Sequence, residues 1–351
     1  MIDAQDLRAA VQRGLITESQ AAGLIGLAEA RRQAVARVEP GEEPFVLFKG
    51  FNEIFIVIGL SILFMGWTGI ATILGAEIFS PGGLDTVLVA AVTLGGLAAA
   101  QRYFTLTRRM IAPSIALAIM SALTAWVLGL ALADLAGLQA LSASALSWAA
   151  IAGIMWGHYR TFRVPFDAAI IATAVFCFVW SLLAMGGILP ETGMGLLHMS
   201  GSGPLSVLSF VFGLLVFALA LRFDMSDPLR VSTRSTTGFW LHVTAAPAIV
   251  NTTALYLLAS GQGGQIFLLV FLLAIAAVAL VIDRRSFLVS GAGYAVWLVF
   301  TLFDSSALVI LFLGFALVFL GAQWDRLRSA LMHALPEFPG KDRLPPYMST
   351  T

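Results

Sequence analysis

Charge is scarce in this chain of 351 residues. Asp, Glu, Lys and Arg make up 11% of it, against about a quarter in a soluble domain, while 59% is hydrophobic and the mean hydropathy is +0.91. Length alone suggests two soluble domains, and this composition excludes them. The formal net charge is +0, so no basic face is expected for nucleic acid. Cysteine is limited to Cys177, which excludes an internal disulfide. The four histidines, His158, His198, His242 and His333, form no pair three or four residues apart, so no metal is expected. H-E-x-x-H, G-x-S-x-G and Walker motifs are missing. No enzymatic activity and no cofactor are therefore expected. Lysine is nearly absent as well: 2 against 18 arginines, in a chain rich in Ala and Gly, a composition typical of GC-rich bacterial genomes.

What the chain does contain is long apolar runs. A membrane span needs about 20 mostly apolar residues, and such runs lie near 52–75, 84–101, 111–133, 141–159, 166–189, 204–222, 238–259, 264–282, 286–303 and 305–323. Backbone groups in lipid must bond within their own segment, so the expected fold class is all-α, a polytopic transmembrane bundle of about ten spans. Basic residues set its orientation. With the N-terminus inside, all 20 Lys and Arg fall in the inner loops and termini. The outer loops then hold acids, among them Glu77, Asp85, Asp134, Glu191 and Asp304. Both termini are expected to be cytoplasmic, in a multi-pass protein of the bacterial inner membrane. Residues 1–44 are polar and lack an apolar signal core, so the first span is expected to act as its own insertion signal.

The polar segments read as appendages of the bundle, which covers 50–325. Residues 1–38 predict a helical hairpin: Asp3 caps a first helix, Gly14 suits its left-handed C-terminal turn, and Thr17-Glu18-Ser19-Gln20 matches a capping box. Ala21, Leu24, Ile25 and Ala28 then form an apolar stripe. Residues 39–49 are a linker. Residues 326–351 are a basic, proline-rich tail, expected to be disordered from Pro336 onward. Within the bundle, Ala91, Gly95 and Ala99, and Ala145, Ala149, Gly153 and Gly157, are small residues four apart, the pattern of close helix packing.

Four residues inside the spans form a candidate intramembrane polar site: Glu53, His242, Pro247 and Asn251. Ionisable groups within lipid are functional candidates by default. Glu53 and His242 enter from the inner side at similar depth and would pair if their helices were neighbours. Pro247 removes the amide that would bond the Val243 carbonyl, so a kink is expected. Thr244 or Asn251 can answer the freed carbonyl. Asp167, in the first turn of its span, reads as an interfacial cap.

The stretches "GLITESQ", "FNEIFIVIGL", "FWLHVTAAPAIV" and "DRRSFLVSGAGY" resemble a bacterial family of multi-spanning membrane proteins of unknown function, whose members join a short helical N-terminal domain to a hydrophobic bundle. The resemblance implies an architecture and a membrane location, and supplies no activity. Members often carry a histidine and a proline where this chain has Asn251 and Thr252, so a two-histidine site is not implied here. Two functions fit the residues: a transporter-like bundle for an uncharged or weakly polar solute, or a membrane anchor whose 1–38 hairpin binds a cytoplasmic protein. A cavity reaching the membrane centre beside the seventh span favours the first, and a sealed bundle the second.

Overall fold

A computed structural model of the chain describes residues 7, 9–11, 13–36, 52–73, 83–189, 203–302 and 307–347. Its long elements are helices α1 (Glu18–Ala36), α2 (Asn52–Ile73), α3 (Gly83–Gln101), α4 (Ile111–Leu135), α5 (Ala140–Phe162) and α6 (Asp167–Met185). They continue as α7 (Pro204–Ser226), α8 (Thr233–Ala259), α9 (Gly261–Ile282), α10 (Ser286–Leu302), α11 (Ala307–Ala322) and α12 (Trp324–Ala334). A π-helical turn, Arg102–Thr107, extends α3. Eight helices among the described residues, α2 to α9 with that extension, are long and apolar enough to cross a membrane. Helices α10 and α11 are apolar but shorter, at 17 and 16 residues. This is the architecture of a multi-pass integral membrane protein. Asp3, the linker 39–49, Glu77, Glu191, His198 and Asp304 lie outside the described residues.

Antiparallel neighbours pack in sequence. Helices α4, α5 and α6 share one core around Ala118, Ala125, Met155 and Ala174, and α2 and α3 lean on α4 through Leu60, Phe64, Leu97 and Leu117. A second core joins α8, α9, α10 and α12 through Val250, Ala279, Phe287 and Trp324. The two halves meet where Ala168 and Ala172 of α6 pack on Val216, Ala220, Leu241 and Ala245 of α7 and α8.

The turns at the arginine-rich end share an unusual backbone. Arg109, Arg163, Arg230 and Asp283, one in each turn between α3 and α10, have φ of 52°, 52°, 52° and 56°. A left-handed non-glycine residue costs about 1–2 kcal/mol, so neighbouring contacts must hold these turns. One such contact is visible: Arg230 reaches the carboxylate of Asp283 at 2.9 Å and donates to its carbonyl at 2.8 Å. Two left-handed turns thus brace each other. Burial, and then the neighbouring Arg284 guanidinium, pull the Arg230 pKa below the usual arginine range, against the pull of Asp283.

The small-residue stripes mark the contacts only in part: Ala145 is buried and Ala149 half-buried, while the other positions are not. Ala91, Gly95, Ala99, Gly153 and Gly157 are exposed, and a Cβ at Gly95, Gly153 or Gly157 would meet nothing within 4 Å. In a chain this rich in Ala and Gly, four-residue spacing arises from composition alone. Close approach needs a facing partner, and it occurs instead at Gly129 against Ser147 and at Gly213 against Ala248 and Ile249.

The polar segments hold two findings. Before α1, Thr17 and Gln20 exchange the two bonds of a capping box, 2.9 Å and 3.2 Å, and Gly14 has φ 68°. After α12, the described residues up to 347 are folded where disorder was expected. Residues 341–343 form a 3-10 turn, Leu344 is buried, and the Arg328 guanidinium donates to the carbonyls of Leu280, Pro345 and Pro346. Proline supplies a carbonyl with no amide to satisfy, so a proline pair can cap an arginine. Arg328→Ala removes all three bonds. Trypsin should then cut after Lys341 and Arg343 several-fold faster in detergent, read by mass spectrometry; unchanged cutting would mean that the tail is held otherwise.

Candidate intramembrane polar site and adjoining cleft

A fork of charge crosses the arginine-rich end of the second half. Asp224, three residues from the start of the α7–α8 turn, accepts from Arg284 Nε at 3.1 Å and from Arg284 Nη2. His242 Nε2 lies 2.9 Å from the same carboxylate, and Arg284 also donates to the Ser235 carbonyl at 2.7 Å. Asp224 and Arg284 are 2% and 8% exposed at the side chain and His242 is fully enclosed. The fork ties α7, α8 and the α9–α10 turn together. Gly238 is where it is because a Cβ there would stand 2.5 Å from Asp224 Oδ1. The rings of Phe217 and Phe287 pack edge-on to the His242 imidazole, at 5.5 Å and 5.9 Å, and its Nδ1 has no partner among the described residues.

A second acid–imidazole pair lies in the first half. His158 Nδ1 is 2.6 Å from Asp167 Oδ2, both buried, so Asp167 anchors α5 to α6 as well as occupying a helix start. Asp227 completes the pattern by accepting the amides of Val231 and Ser232 ahead of α8, at 3.0 Å and 2.8 Å.

The four sequence candidates fall in different places. Glu53 is fully buried and accepts from the Ala112 amide at the head of α4, at 3.3 Å. It is not brought to His242, whose partners come from α7 and α10. Helix α8 runs unbroken through Pro247. Thr244 donates to the Trp240 carbonyl at 3.1 Å, not to Val243. Asn251 is half-buried, and its amide makes no hydrogen bond to a described residue. Sequence reasoning missed Asp224 and Arg284, which lie at span ends where a charge ordinarily reaches water. The signal was the pairing itself: an acid at one span end, a histidine in the next span and an arginine in the next turn at the same end.

Beside α8 a cleft of about 560 Å³ opens between α4 and α8, floored by α5 and α6. Trp126, Trp148 and Trp240 line it with aliphatic side chains and Phe166, and Thr173 is its one polar lining residue. A smaller chamber of about 190 Å³ adjoins it toward the arginine-rich end, between Ile111, Ser114 and Ile115, the 164–166 turn, and Thr236 and Phe239. Phe166 and Trp240 line both chambers and meet edge to face at 4.6 Å. Helices α4 and α8 have little direct packing between them, so the mouth stays open, with Ile119 and Leu123 as its exposed lip. No protein-family model matches this sequence, and no curated protein or solved structure matches it.

Proposed function

We propose that this is a transporter-like protein of the bacterial inner membrane, of the multi-spanning kind it resembles, handling an uncharged or weakly polar solute. The observation that supports it is the cleft of about 560 Å³ beside α8, within the range of small-molecule sites, about 300–1,000 Å³. Its lining carries no charge, so an ionic solute would lose its hydration there without compensation. The test is exchange of fluorescent uncharged solutes across vesicles containing the purified protein. Ala169→Trp with Val243→Trp fills the cleft and should cut protein-dependent exchange at least tenfold while the protein remains inserted. Exchange no faster than in protein-free vesicles would sink the transport reading.

In this reading α10 and α11 complete ten spans and both termini are cytoplasmic. A reporter active only in the periplasm should stay silent after Arg109, Arg163, Arg234 or Arg285 and be active after Pro81, Gly195 or Gly263. Activity after Arg234 would overturn the count up to that point. One observation favours the second reading, a membrane-anchored partner-binding protein: Leu24, Ile25 and Leu27 of α1 are 45%, 41% and 56% exposed, an apolar edge that a cytoplasmic protein would cover.

A further inference from the structure

The solute can be narrowed, on the premise that the cleft between α4 and α8 is the solute site. The geometry points to a long-chain lipid with an uncharged head, a fatty or isoprenoid alcohol by chemistry, entering sideways from the bilayer and lying along α4 past the Phe166–Trp240 ring pair.

Three features lead there. The first is where the mouth opens. Its lip, Ile119 and Leu123, is 43% and 55% exposed and belongs to a span, so the opening faces the hydrocarbon around the bundle. An apolar solute dissolves there first, and lateral entry spares it the water phase.

The second is shape. The two chambers follow α4 from Ile111 to Trp126, about 22 Å at 1.5 Å per residue. One leaflet contributes about 15 Å of hydrocarbon. Two chambers in line over that length, joined when the ring pair moves, fit a single extended chain better than a compact solute.

The third is the head end. The inner chamber offers Ser114 and Thr236 as polar lining and no titratable group. The Ser114 hydroxyl is already engaged, with Thr105 at 2.7 Å and with the Met110 carbonyl. A hydroxyl head can bond Thr236, whereas a sulfate or phosphate in the chamber would lack compensation among its lining. The ring pair divides chain from head. Rotation of Phe166 or Trp240 is the movement that would join the chambers.

The full chain in detergent, titrated with a brominated long-chain alcohol, tests this through tryptophan quenching by the heavy atom. The expected result is saturable quenching that weakens at least tenfold when the alcohol is shortened to a few carbons, or when its head is replaced by sulfate. The saturable part should disappear in Trp126→Phe/Trp148→Phe/Trp240→Phe. Ala122→Phe, which keeps all three indoles and fills the groove, should abolish it too. Saturable quenching by short and long alcohols alike would overturn the lipid assignment and leave the cleft as a small-solute site. Equal binding of the long-chain sulfate would overturn the uncharged head. Quenching that only rises linearly would overturn this inference outright. The vesicle exchange of short uncharged solutes, measured separately, decides whether the cleft carries a solute at all.

Discussion

Replacing Arg284 with methionine should destabilise the folded protein by about 3–5 kcal/mol, the usual cost of removing one partner from a buried ion pair. The side chain is 8% exposed and its carboxylate partner, Asp224, 2%. Three bonds go at once, two to Asp224 and one to the Ser235 carbonyl. What remains is a carboxylate facing a histidine, enclosed by Phe217 and Phe287. The loss should appear as a lowered melting temperature in detergent and as loosening of the α9–α10 turn, which the fork holds to α7 and α8.

The diagnostic comparison is the double variant. Asp224→Asn with Arg284→Met removes the stranded charge, and neutral replacements of buried pairs are often tolerated. It should therefore melt above Arg284→Met alone, with a coupling energy that a double-mutant cycle measures directly. If the single variant melts with wild type, or the double variant lies below it, Asp224 has access to water and the fork is not what joins these helices.

The sequence was legible wherever one physical rule acts alone. Span α4 was expected at 111–133 and runs Ile111–Leu135, because apolar length in lipid admits little besides a helix. The capping box at Thr17 and Gln20 was legible because all its partners lie within four residues. What failed depends on which helices are neighbours. Glu53 and His242 were expected at one depth, which was all the sequence offered, yet Glu53 bonds the head of α4 and His242 bonds α7. Asp224 and Arg284 are 60 residues apart and look like ordinary interfacial charges until the fold joins them. The tail beyond Pro336 has a disordered composition, yet two proline carbonyls become ligands for Arg328 once α12 presents it. The cleft is a scarcity of packing between α4 and α8, and no pattern within either helix announces that two helices stand apart.

Gly129 offers the sharpest test of how the first half is held together. It is buried in α4, and a Cβ built there would overlap the Cα of Ser147 in α5, with the Ser147 Cβ and Oγ 3.0 Å away. Backbone cannot rotate aside, so the helices must separate. Ser147 is itself fully buried, its hydroxyl donating to the Ala143 carbonyl at 2.8 Å. Lipid supplies no hydrophobic drive to press the helices back together, since packing at small residues is what holds them. Gly129→Val should therefore cost at least the 1–3 kcal/mol typical of overpacking, and more if Trp126 and Trp148, 4.6 Å apart on the same two helices, are pulled from register. Gly95→Val is the control: that position belongs to the small-residue stripe of α3, yet a Cβ there meets nothing within 4 Å. Swapping glycine for a helix-compatible side chain in an open position should leave the melting temperature within a degree or two of wild type, or raise it. If Gly95→Val melts early and Gly129→Val does not, the close contact lies along the α3 stripe, and the packing of α4 on α5 described above is wrong.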